Sequence, residues 1–94
     1  MGAKTYMVAK KNWSVYLVLC LDGSLYTGVT NDLEKRMSIH KSGKGSKYIR
    51  AKGFDKLLAV KDGFDKISAM KEEYRIKNLT KENKIKYFEA KLKI

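Results

Sequence analysis

Ser14-Val15-Tyr16-Leu17-Val18-Leu19-Cys20-Leu21-Asp22-Gly23-Ser24-Leu25-Tyr26-Thr27-Gly28-Val29 is the stretch whose reading decides the fold. Two β-rich runs, Trp13 to Cys20 and Leu25 to Val29, flank an Asp-Gly turn signal, which is the pattern of a β-hairpin. Side chains alternate along a strand, so the hairpin register decides which residues share a face. A two-residue Asp22-Gly23 loop pairs Tyr16 with Val29 and Leu19 with Tyr26, and puts the two tyrosines on opposite faces. A three-residue loop, Leu21-Asp22-Gly23, pairs Tyr16 with Gly28 and Val18 with Tyr26, on one face. A type I turn with Gly23 left-handed in a G1 bulge suits Asp and Gly at these positions, so the three-residue loop is the expectation.

Working outward, Asn31 is expected to cap a helix with Glu34 at its third position, and that helix should end near Gly43. Residues 43–53 are poor in apolar side chains and read as an ordered loop or broken turn. Lys56 to Val60 is a third strand candidate, closed by Asp62-Gly63. Two helices follow, roughly Lys66 to Leu79 and one capped by Thr80 that carries Ile85, Phe88 and Leu92 on one face. The order ββαβαα predicts an α+β fold, a three-stranded mostly antiparallel sheet flanked by helices. Residues 1–12 read as a basic lead-in and residues 13–94 as a single domain, in line with the length of one domain.

Charge narrows the function. Lys+Arg number 21 against 10 Asp+Glu, a formal net charge of +11, and a field of that sign concentrates polyanions. Nucleic acid is the expected partner, although a proteome rich in surface lysines would give the same count. Cys20 is the only cysteine, which excludes an intramolecular disulfide and a zinc-thiolate cluster and favours a reducing, cytoplasmic setting. The longest apolar run, Val15 to Leu21, is too short to span a bilayer, and the N-terminus lacks a secretory core, so no membrane partner is expected.

Several polar residues fall where apolar ones are expected. On a helical wheel of about 100° per residue, Arg36 and His40 project between Leu33, Met37 and Ile39. Burying either without a partner is costly, so an anion should meet them, unless Arg36 snorkels to water or pairs with Asp32. Glu73 likewise falls between Met70 and the pair Ala69 and Ile76. It is either a ligand for a hard divalent cation or half of an i,i+4 ion pair with Lys77. Lys41, Lys44, Lys47 and Arg50, with Tyr48 among them, could form a phosphate track with a stacking platform.

Val15-Tyr16-Leu17, Leu25-Tyr26-Thr27-Gly28, Arg36 with His40, Ser42 to Tyr48 and Glu73, in this order and spacing, resemble the GIY-YIG nuclease superfamily. The closest likeness is to its small single-domain bacterial members, the UPF0213-like group. The resemblance runs from about Ser14 to Lys84. It implies metal-dependent endonuclease chemistry on nucleic-acid phosphodiesters, with DNA the expected substrate, and no covalent enzyme intermediate. By the same resemblance, Glu73 holds one divalent ion, Mg²⁺ or Mn²⁺, and Arg36 stabilises charge on the phosphate. Tyr16 and Tyr26 position or deprotonate the attacking water, and His40 and Tyr48 serve proton transfer or phosphate contacts. The first motif reads Val-Tyr-Leu, and Val29 stands where many members carry a lysine. With no second DNA-binding domain, specificity would come from the module or from a protein partner. A nucleic-acid-binding module of the same fold with little or no cleavage is therefore the alternative expectation.

Overall fold

A computed structural model describes residues 10–89. Strands β1 (Trp13–Cys20) and β2 (Leu25–Thr30) are followed by helices α1 (Leu33–Lys41) and α2 (Lys47–Lys52). Strand β3 (Phe54–Phe64) and helices α3 (Lys66–Lys77) and α4 (Lys81–Tyr87) complete the order. The sheet is antiparallel with strand order β2-β1-β3. The expected α+β architecture holds, with one helix added.

The hairpin register is the one a three-residue loop requires: Tyr16 pairs with Gly28 and Val18 with Tyr26. Gly23 N–H donates to Cys20 O at 2.9 Å and Cys20 N–H to Ser24 O at 2.9 Å. Gly23 sits at φ 86°, a left-handed conformation that costs a glycine little. The Asp22 carboxylate accepts the Ser24 N–H at 3.0 Å, and Lys52 from α2 approaches that carboxylate at 3.4 Å.

Three local expectations are corrected. The cap of α1 is Asp32, not Asn31; its carboxylate accepts the Lys35 N–H at 3.1 Å. The stretch read as a loop contains α2, because the Ser46 hydroxyl accepts the Tyr48 N–H and caps a turn of helix too short to show a hydrophobic period. Strand β3 starts before Lys56 and runs through Asp62-Gly63 to Phe64, where it pairs with Trp13, so that Asp-Gly does not end it. Helix α3 stops at Lys77 with Asn78 as its C-cap, and Thr80 caps α4 as expected, accepting the Asn83 N–H. Leu92 lies outside the described residues.

Strand β1 is central and buried on both sides, so its run reads as continuously apolar. Val15 and Leu17 point to the face covered by α3 and α4, where they meet Ala59, Ala69, Ile76 and Phe88. Tyr16, Val18 and Cys20 point to the face covered by α1 and α2, with Met37, Ile49 and Val60. A polar clamp holds α4 to the rest: the Tyr87 hydroxyl donates to Glu72 of α3 at 2.5 Å and accepts from Lys61 of β3 at 3.2 Å. Among the described residues no helix is long and apolar enough to cross a membrane.

Candidate active site

The predicted site residues come from five elements, β1, β2, α1, α2 and α3, and one face of the sheet brings most of them together. The ring centroids of Tyr16 and Tyr26 are 6.3 Å apart, so both tyrosines face α1. Tyr16 Oη and His40 Nε2 form a buried hydrogen bond of 2.8 Å. His40 also packs against Tyr26, with ring centroids 5.7 Å apart and nearly perpendicular. Tyr48, presented by α2, extends the aromatic row, 5.9 Å from Tyr26.

Two glycines make room for this row. A Cβ at Gly28, directly across the ladder from Tyr16, would collide with the Tyr16 hydroxyl end. A Cβ at Gly45 would collide with His40 Nδ1 and Cε1. Gly45 thus seats the imidazole, and its role was missed in the sequence. The signal was there: of the two glycines in Gly43-Lys44-Gly45, the left-handed Gly43 (φ 78°) already serves the end of α1, leaving Gly45 without a backbone reason. His40 Nδ1 has no hydrogen-bond partner among the described residues.

Electrostatics tie the remaining residues to the pair. Burial raises the Tyr16 pKa above its ordinary value; the charges of Tyr26 and Glu73 push the same way, and Arg36 opposes them. Burial lowers the His40 pKa, and the Arg36 guanidinium adds to that, so the imidazole is held neutral. The Arg36 charge therefore bears on both groups, and that of Glu73 on Tyr16. Their positions differ from the expected ones. Arg36 is exposed, lining a cleft of about 320 Å³ with Thr30, Asn31, Asp32, Lys35 and Ile39. It snorkels rather than meeting a buried anion, and Asp32 is occupied at the helix cap. Glu73 stands at the border of the core and not inside it, because Met70, expected on the buried arc, is half exposed. Its carboxylate lies 3.5 Å from Lys77 Nζ, the plain i,i+4 pair.

Beside Tyr26 a second cleft of about 470 Å³ is lined by Ser46, Lys47, Tyr48, Lys77 and Lys84. Lys77 Nζ is 5.9 Å from the Tyr26 ring centroid. Lys47 and Tyr48 thus border the site, Arg50 shares a shallow outer hollow with Lys47, and Lys41 at the end of α1 and Lys44 on the α1–α2 connection are exposed. Lys84 was not foreseen, since it comes from the helix after Glu73 and only the docking of α4 brings it round. No group of three metal-ligating side chains occurs among the described residues. One carboxylate fits a hard divalent ion that takes its other ligands from water and a phosphate, the usual habit of Mg²⁺; a cage built wholly from protein ligands does not fit.

Comparison with known proteins agrees with this fold. The model of the GIY-YIG catalytic domain matches residues 12–86. A UPF0213 protein of Oceanobacillus iheyensis is 51% identical over 75 residues, which cover 80% of this chain and 87% of that one. The UPF0213 protein YhbQ of Escherichia coli is 44% identical over 72 residues, covering 77% and 72%. The solution NMR structure of a UPF0213 protein from Bacillus halodurans superposes with a TM-score of 0.51 at 40% identity, covering 83% of each chain. With the catalytic-domain model matching most of the chain and the fold shared with those relatives, the chain belongs to the GIY-YIG family, in its UPF0213 group.

Proposed function

We propose that the protein is a metal-dependent endonuclease that hydrolyses DNA phosphodiesters at the Tyr16–His40 site. The observation that carries this reading is the 2.8 Å bond between Tyr16 Oη and His40 Nε2, set beneath Tyr26 and within the fields of Arg36 and Glu73. A phenol whose pKa is raised is a poor base at neutral pH, whereas a neutral imidazole is a competent one. The proton is therefore best passed inward: water gives it to a tyrosine hydroxyl as the phenolic proton moves to His40 Nε2. Tyr26, which lines the cleft, orients the water. Arg36, exposed and without an ion pair among the described residues, is free to meet the phosphate oxygens as charge builds on them. Glu73 would hold one Mg²⁺ or Mn²⁺, which when bound neutralises phosphate charge and acidifies water. Lys77 then acts as a placeholder cation at that carboxylate until the ion arrives. Lys47, Tyr48 and Arg50, with Lys41 and Lys44 beyond them, receive the flanking backbone.

A second reading, binding without cleavage, is favoured by one observation: Tyr16 and His40 are each only 1% exposed. A substrate that does not shift Tyr26 would never reach them. The experiment that separates the readings is a cleavage panel of single-stranded, duplex, flap and four-way-junction DNA, plus RNA, with Mg²⁺ or Mn²⁺. Glu73→Ala and Arg36→Ala proteins run beside the unsubstituted one. Metal-dependent cutting of DNA that disappears in both variants supports the nuclease reading. Salt-sensitive binding with no cutting under any metal replaces it with the binding module.

A further inference from the structure

We propose that a cavity at the start of β1 is a second nucleic-acid subsite, which takes an unpaired nucleotide flanking the scissile phosphate, its base on Trp13 and its phosphate on Lys66 and Lys10. The proposal rests on the nucleic-acid reading above and adds a place that the reading does not use. The cavity, about 630 Å³, is lined by Lys10, Asn12, Trp13, Asn31, Asp65 and Lys66, with Ile67 at its apolar side. Trp13 packs against the α3–α4 core and is only half buried, so its ring is fixed from behind while part of it faces the cavity. Lys66 Nζ lies 5.8 Å from the ring centroid. A rigid aromatic ring beside an ammonium group is the pairing that single strands use, base on ring and phosphate on cation.

Continuity with the site makes a nucleic-acid strand the occupant. Asn31 lines this cavity and also the Arg36 cleft. A strand whose phosphate meets Arg36 therefore passes over Asn31 directly to Trp13. Four cations line the two spaces, Lys10, Lys35, Arg36 and Lys66, against two carboxylates, Asp32 and Asp65. Both carboxylates are held as helix caps, Asp32 by the Lys35 N–H at 3.1 Å and Asp65 by the Ser68 N–H at 2.8 Å. The positive ends of α1 and α3 offset their charge. None of the four cations forms an ion pair among the described residues. The track is thus positive from end to end. With Tyr48 and its lysines on the far side of Tyr26, the strand is gripped on both sides of the reacting phosphate.

Trp13 is the only tryptophan of the chain, so selectively excited emission reports this place alone. The test titrates the full chain with single-stranded oligodeoxynucleotides from a dinucleotide upward, in EDTA, following Trp13 emission. Affinity is measured separately by anisotropy of labelled strands. The shortest strands should leave the emission unchanged, and longer ones should quench it. Lys66→Glu, an exposed change at the first turn of α3, should weaken long strands on the order of tenfold and leave short ones unaffected. Trp13→Phe should do the same if its fold is intact by circular dichroism. Binding of long strands with unchanged emission, or with unchanged affinity in Lys66→Glu, overturns this subsite and leaves the nucleic-acid reading standing. Absence of binding by every strand at low salt overturns the subsite, and the nucleic-acid reading falls with it only if the duplex, flap, junction and RNA of the cleavage panel also fail to bind.

Discussion

The two faces of the sheet are built from alternating residues of one strand, yet they differ in kind. Val15 and Leu17 look into a hydrocarbon layer closed by Ala69, Ile76 and Phe88, all five at 0% exposure. Thr27 is the polar exception there, buried with its hydroxyl unpaired among the described residues. One residue along the strand, Tyr16 looks the other way at His40 and Tyr26, under a thinner cover made by α1 and the short α2. Apolar burial is non-directional and supplies most of the stability. A buried phenol and imidazole supply little unless paired, and fix geometry when they are. The difference teaches a division of labour: one face holds the sheet together, and the other uses that rigidity to aim polar groups.

Adjacent substitutions on β1 break the comparison most directly. Tyr16→Phe keeps the ring and removes the hydroxyl, so any cleavage activity should fall about 10²–10⁴-fold, the usual worth of positioned proton transfer. Stability should fall by only about 1–3 kcal/mol, from the unpaired His40 nitrogen. Leu17→Ala should do the reverse. Its cavity costs about 2–5 kcal/mol in denaturant unfolding, while the activity of the folded fraction is retained. If Leu17→Ala lost activity as completely as Tyr16→Phe without unfolding, the two faces would not be separate in function.

The glycines sharpen it further. Gly45→Ala sets a methyl against His40, which has the sheet behind it and cannot retreat freely. Overpacking of this kind costs about 1–3 kcal/mol, and displacement of the imidazole should lower cleavage more than stability. Gly43→Ala is the control. It strains a left-handed backbone (φ 78°) with no atom within 4 Å of the new methyl, so it should cost about 1 kcal/mol and leave activity per folded molecule unchanged. Equal activity loss in both would mean that the connection as a whole matters, and not the seat of the ring.

How much of this was legible beforehand follows the range of each interaction. The hairpin register came from local turn chemistry: Leu21, Asp22 and Gly23 specify a loop, and the loop places Tyr16 and Tyr26 on one face. Helix α3 was readable from its period, though Met70 was left on the outside while Ala69 and Ile76 fill the space under the sheet. Helix α2 was not readable, because six residues with one buried side chain, Ile49, give no period to detect. Of the candidate site, the resemblance pointed to Tyr16, Tyr26, Arg36, His40, Tyr48 and Glu73. The exposure of Arg36, the seat at Gly45, and the approach of Lys84 depend on how α1, α2 and α4 dock. Docking is decided by contacts far apart in sequence, which no local pattern encodes.

The smallest effect concerns acid. His40 is held neutral in the folded protein, by burial first and by the Arg36 charge second, so its pKa lies below the ordinary value. An imidazole in the unfolded chain titrates near about 6.5. Below that pH the unfolded chain takes up a proton that the folded one resists, so stability falls as pH falls. Above it neither state is protonated, and His40 adds no pH dependence. Denaturant midpoints measured between about pH 7.5 and about pH 5 should therefore drop more steeply for the unsubstituted protein than for His40→Gln. Carboxylates titrating at the acid end are common to both and cancel in the difference. Leu17→Ala, on the other face, should keep the steep curve at lower absolute stability. Parallel curves for His40→Gln and its parent would mean that the imidazole titrates alike in the folded and unfolded chains. In that case the ring is not held away from water, and the buried Tyr16–His40 bond on which the relay of this face rests would fail while the hydrocarbon face stood untouched.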